Sequence, residues 1–103
     1  WCGPCRAEMP VLAAAQQRET SVQFVFVNQG ESRQTVLTYL QRSNLDLQNV
    51  WIDAGSALGP ASGSKGLPTT LFFDAAGSRV DAHFGIINAA ALQTRLQSLR
   101  NSR

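Results

Sequence analysis

The sequence predicts an α/β fold, a mixed central sheet flanked by helices. Three observations lead there. A stretch with Met9, Leu12 and Ala13 at helical spacing opens the chain. Val22-Gln23-Phe24-Val25-Phe26-Val27 follows, β-branched and aromatic with almost no polar residues, the composition of a strand buried on both faces. Further on, two β-rich runs flank Asp74-Ala75-Ala76-Gly77-Ser78, the pattern of an antiparallel hairpin.

Each element has its own signal. Pro4 suits a first helical turn, whose N–H groups have no intrahelical partner, so a helix is expected over 4–18 with a kink near Pro10. Residues 28–32 form a loop, and Ser32 caps a second helix over 33–42 with Val36, Leu37 and Leu40 on one face. Val50-Trp51-Ile52 is a short extended segment ending at Asp53, with Trp51 in core or edge packing. The stretch 54–66 is rich in glycine and reads as a weak helical turn and a loop. Residues 69–73 and 79–84 are the hairpin strands, with Val80, Ala82 and Phe84 on the apolar face and Arg79, Asp81 and His83 facing solvent. Asn88 caps a last helix with Ala89, Leu92, Leu96 and Leu99 as its stripe.

Composition narrows the functions. The chain has 103 residues, enough for one domain over 1–103, with 44% hydrophobic and 16% charged residues as in soluble globular proteins. A net charge of +2 argues for neither nucleic acid nor an anionic membrane surface. No apolar run approaches the roughly 18 residues of a membrane span.

Trp1-Cys2-Gly3-Pro4-Cys5 carries the chemistry. Its cysteines are the only two in the chain, and structural zinc wants four ligands. A purely structural bridge across so short a loop removes little unfolded-state entropy. The pair therefore reads as a redox dithiol, with no other cofactor and no metal site. At a helix N-terminus, unpaired N–H groups and the helix dipole favour thiolate over thiol. Cys2 stands there as the nucleophile. Cys5, one turn deeper, would resolve the mixed disulfide by attacking the Cys2 sulfur.

Gly-Pro between the cysteines and Trp1 before them resemble the signature of the thioredoxin superfamily, and the element order fits a thioredoxin-like fold. The run Cys2-Gly3-Pro4-Cys5-Arg6-Ala7-Glu8-Met9-Pro10 is similar to the TlpA/ResA-like branch, with its W-C-x-P-C-x-x-E-x-P pattern. Val27-Asn28-Gln29-Gly30-Glu31-Ser32, Ile52-Asp53, Gly66-Leu67-Pro68-Thr69-Thr70-Leu71-Phe72-Phe73-Asp74, Ala76-Gly77 and Phe84-Gly85 continue the likeness. The resemblance implies a first strand, between residues 22–28 and 69–74, that is missing from this chain. It also implies a cis peptide at Leu67-Pro68, which costs only about 0.5–1 kcal/mol and leaves the preceding backbone open to an extended client.

The resemblance further implies an extracytoplasmic or periplasmic thiol–disulfide oxidoreductase, with a membrane anchor upstream of residue 1. Its clients would be protein disulfides in cytochrome c biogenesis or metal-site assembly, and its electrons would come from an upstream dithiol donor. Trp1, Gly3, Pro4, Leu67, Pro68 and Glu31 would line the client surface, and Glu8 would join Cys2 and Cys5 in catalysis. Glu8 is otherwise a first-turn acid complementing the helix dipole, and Glu31 a solvated loop acid. A general thioredoxin or an oxidising disulfide donor is the alternative enzyme. A thioredoxin-like copper-chaperone or docking module is the alternative from another class, with Met9 the only methionine available. One departure from the branch is Ser62-Gly63-Ser64-Lys65, polar where apolar or aromatic residues are usual.

Overall fold

A computed structural model of the chain describes residues 3–53, 55 and 66–101. Trp1, Cys2 and the polar 62–65 stretch, with most of the 54–66 loop, lie outside the described residues.

Helix α1 spans Gly3–Arg18. Its buried residues Cys5, Glu8, Met9, Leu12 and Ala13 form one stripe at helical spacing. The helix runs without interruption through Pro10, which lies on the exposed side. Strand β1 is Phe26–Gln29, later and shorter than the expected 22–27. Apolar composition alone does not make a strand; a hydrogen-bonded neighbour does. That neighbour is β2, Val50–Asp53, which runs parallel to β1 from Phe26 opposite Val50 to Gln29 opposite Asp53. Asn28 and Gln29, expected in a loop, are thus strand residues. Val25 is 45% exposed, so the run is not buried on both faces.

Side-chain amides fix the approach to this pair. Gln16 of α1 clamps the backbone of Gln48, its Nε2 donating to the Gln48 carbonyl at 2.9 Å and its Oε1 accepting from the Gln48 N–H at 3.0 Å. Asn49 donates from Nδ2 to the Phe24 carbonyl at 3.0 Å, and its own carbonyl accepts from the Phe26 N–H at 2.9 Å. Helix α2, Arg33–Ser43, begins at Ser32, whose Oγ accepts from the Thr35 N–H, and ends at Asn44 in the left-handed region. Trp51 is 63% exposed on β2, not in the core, because no described element covers that side of the strand.

Strands β3, Thr69–Phe73, and β4, Arg79–Phe84, form the antiparallel hairpin, with a register shift between Phe72 and Phe73. Asp74 closes its turn: Oδ1 accepts from the N–H groups of Ala76 and Ser78, and Gly77 takes a φ of 88° that disfavours side chains. Helix α3 is Ala89–Asn101, capped by Asn88 Oδ1 on the Ala91 N–H at 2.8 Å.

Side chains of α3 reach the C-terminal end of α1 and the residue after it. Arg100 donates to Glu19 at 2.5 Å, and Arg18 to Gln93 at 3.4 Å. Between these helices and the strands lies the core of Met9, Leu12, Ala15, Phe26, Phe72, Ile87, Leu92 and Leu96. The hairpin presents Phe72 to this core. Its Val80 and Phe84 are 51% and 58% exposed on the other face, contrary to the expected apolar burial. Asp81 and His83, expected in solvent, turn instead toward Arg95 of α3 and are half-buried. The ion pair with Arg95 covers the polar side of β4 and leaves the apolar side out.

The sheet is in two pieces, β1 with β2 and β3 with β4. Among the described residues no strand joins them, and β1 does not close onto β3. The helices and their apolar stripes therefore carry the connection between the pieces. Leu96 is 2% exposed at that junction. Leu96→Ala is expected to cost about 2–5 kcal/mol, from lost burial plus the cavity left behind. A urea midpoint unchanged from the parent chain would contradict it.

Candidate active site

Cys5 is 6% exposed in the first turn of α1 and is held in a disulfide. Gly3 and Pro4 before it are exposed. Glu8, one turn on, lies on the same face and is 3% exposed. Its Oε2 accepts from the Ile87 N–H at 3.0 Å, a contact between α1 and the segment leading into α3. Burial raises the Glu8 carboxyl above its ordinary range, against the opposing pulls of the Ile87 N–H and of His83.

The same segment holds the proline loop. The Leu67-Pro68 peptide is cis, Pro68 is buried and Leu67 is 47% exposed. The Gly85 N–H donates to the Pro68 carbonyl at 2.8 Å, and Thr69 Oγ1 donates to the Gly66 carbonyl at 2.6 Å. Gly85 has a φ of 93°, a conformation that disfavours any side chain there. Gly66, Leu67, Pro68, Phe84 and Gly85 line an open, mainly apolar groove of about 610 Å³. Residues 85–87 thus bond Pro68 at one end and Glu8 at the other. That two-point tie brings the redox helix and the proline loop to one edge of the molecule. A polar hollow of about 430 Å³ lies elsewhere, beyond the last turn of α1 beside Gln17, Thr20 and Asp46.

Glu31 sits after β1 and accepts from Asn28 Nδ2 at 3.0 Å. That hydrogen bond chiefly holds its carboxyl below the usual range, with Arg6 adding a weaker attraction. Asn28 is fully buried, and among the described residues its Oδ1 has no hydrogen-bond partner. Sequence reasoning gave Asn28 no role, nor Ile86, Ile87 or Arg95. Phe84 and Ile86 add exposed apolar area beside the groove, at 58% and 52%. The available signal was the apolar pair Ile86-Ile87 after a turn glycine. Arg95 stands within the apolar Leu92 and Leu96 spacing of α3, where a lone cation asks for a partner.

Among the described residues no group of three or more His, Cys, Asp or Glu side chains could hold a metal ion, and no helix is long and apolar enough to cross a membrane. Met9 packs in the core at 7% exposure.

Solved structures share this architecture. A protein designated thiol:disulfide interchange protein DsbE, from Chlorobium tepidum, matches with a TM-score of 0.80 and 26% identity over 97% of this chain and 72% of its own. The chain belongs to the thioredoxin superfamily. It is a protein thiol–disulfide oxidoreductase, as the resemblance to the TlpA/ResA-like branch implied. The exposed lipoprotein thioredoxin Etrx1 of Streptococcus pneumoniae matches at TM-score 0.77 and 24% identity, over 96% of this chain and 78% of its own. StoA of Bacillus subtilis matches at 0.78 and 22%, over 91% and 73%. These two share the fold. No family model and no curated protein matches the sequence.

Proposed function

We propose that the chain is an extracytoplasmic dithiol reductase of protein disulfides, with Cys2 as nucleophile, Cys5 as resolving thiol and Glu8 as the proton-handling group. The observation that carries this reading is the buried Glu8 carboxyl, one turn from Cys5 and tied through Ile87 to the segment that holds the proline loop. In each turnover the Cys2 thiolate attacks a client disulfide and releases one client thiol. Cys5 then loses its proton and attacks the Cys2 sulfur, releasing the second client thiol. Two electrons pass to the client, and a dithiol donor restores the Cys2 and Cys5 thiols. A carboxylate beside Cys5 can take the proton that Cys5 gives up and return it to the departing client thiolate.

The client is an extended segment in the groove of Leu67, Pro68 and Phe84, with Gly3, Pro4 and Glu31 contributing to its surface and Trp1 joining them as the branch resemblance implies. An apolar side chain beside the client cysteine suits Phe84 and Leu67. An extracytoplasmic site of action is supported by similarity to an exposed lipoprotein thioredoxin. Clients in cytochrome c biogenesis or metal-site assembly fit the branch resemblance. A general thioredoxin or a disulfide donor would use the same residues at another redox potential. A copper chaperone is the weaker reading, because Met9, the only thioether, is committed to the core.

Glu8→Gln tests the role of the carboxyl. Gln keeps an oxygen for the Ile87 N–H but cannot titrate. The pH dependence of disulfide exchange should lose the step that Glu8 contributes; superimposable profiles would leave Glu8 a structural residue. Stability gives a second reading with a definite sign. The folded pKa of Glu8 lies above its unfolded value of about 4.5. Its favourable contribution is therefore complete below the unfolded pKa and is lost as pH rises through the folded one. Glu8→Gln should gain stability relative to the parent at neutral pH and lose that advantage in acid.

A further inference from the structure

The redox site extends beyond Glu8. His83 Nε2 lies 3.0 Å from the Ile86 carbonyl oxygen, which can only accept. His83 Nδ1 lies 3.4 Å from Arg95 NH2, which can only donate. Nε2 therefore donates to the Ile86 carbonyl, and Nδ1 accepts from Arg95. The peptide group that accepts this bond is the one whose N–H, on Ile87, donates to Glu8 Oε2. Arg95 is itself held by Asp81 Oδ2 at 2.9 Å and by the Ala82 carbonyl at 3.3 Å. From Arg95 through His83 and the Ile86–Ile87 peptide each donor points toward Glu8, while Arg95 also donates back to Asp81. Hydrogen bonds in such a chain polarise one another, and pulling on a carbonyl strengthens the N–H of the same peptide.

We propose that His83, oriented by Arg95 and Asp81, is a positioning residue for the thiol–disulfide reaction: it grips the peptide between Ile86 and Ile87 so that its N–H holds the Glu8 carboxylate. The proposal deepens the reading of Glu8 as the proton-handling group and rests on it for its consequence in turnover. The groups acting on Glu8 from packed elements are the Ile87 N–H before α3 and His83 of β4. Arg95 of α3 and Asp81 of β4 act on His83. His83 is thus tied into the site rather than solvated.

Three variants separate this from plain packing. His83→Phe removes the donor, His83→Asn shortens it out of reach of the Ile86 carbonyl, and His83→Gln keeps an amide N–H at the distance of Nε2. The carboxyl carbon of Glu8 is followed by NMR against pH in chain labelled on its glutamates, with Glu8→Gln assigning the signal. His83→Phe and His83→Asn should raise the Glu8 midpoint by about 0.3–1 pH unit, spanning the weakening and the full loss of one N–H donor. His83→Gln should restore the parent midpoint. His83→Asn carries the comparison if the Phe variant does not fold. Equal midpoints in the parent and in every folded variant overturn the proposal, as does a Gln variant shifted as far as Phe. The rate profile of disulfide exchange is recorded on the same samples. A midpoint that moves while the profile stays fixed leaves the relay standing and removes Glu8 from proton transfer instead.

Discussion

Serine at position 5 is expected to leave the protein covalently attached to its client. Cys2 can still attack a disulfide and form the mixed bond, but no second thiol is left one turn away to displace it. Turnover stops after one attack, and the trapped adduct accumulates stoichiometrically. Cys2→Ser is expected to behave differently: no adduct forms and exchange falls to the background rate. The asymmetry follows from position on α1. Cys5 is buried at 6% exposure, where a client sulfur cannot reach it in line. Mass spectrometry after incubation with a peptide disulfide reads both outcomes. Adducts in the Cys2→Ser protein and none in the Cys5→Ser protein would reverse the assignment of nucleophile and resolving thiol.

By itself, the 103-residue chain is expected to self-associate. The sheet is in two pieces that no described strand joins, and exposed strand edges are templates for pairing with another chain. Large apolar residues on these strands are also open, among them Trp51 at 63%, Val80 at 51% and Phe73 at 49%. Sedimentation should report species heavier than an 11.2 kDa monomer, growing with concentration. A covalent N-terminal extension of five or six β-branched residues, long enough for about one ordinary strand, should return the chain to a monomer by filling the gap. A cooperatively unfolding monomer of the 103-residue chain would show that α1, α3 and their shared core suffice without a continuous sheet.

Local chemistry settled much of this protein in advance. Ser32 and Asn88 cap helices where their side-chain oxygens meet the first free N–H groups, and such signals act over three residues. The Asp74 turn is equally local. So are the dithiol and the Leu67-Pro68 step, whose residue types have few other uses together. The helical stripe of α1 was legible because the period of a helix is written into the order of its residues.

Pairing and burial were decided elsewhere. The run at 22–27 is apolar but for Gln23, yet the strand begins at Phe26, because only from there does Val50 lie alongside. Trp51 and Phe84 are exposed although both are large and apolar, since exposure depends on what another element covers. His83 shows the same dependence most clearly. Along β4 it alternates with Ala82 and Phe84 and reads as the wet side of a strand. Arg95, twelve residues away on another element, makes that side the covered one and links it through a single peptide group to Glu8. A strand's period of two fixes which residues share a face, but the direction of that face is set by long-range packing, and the chemistry of the site follows from it.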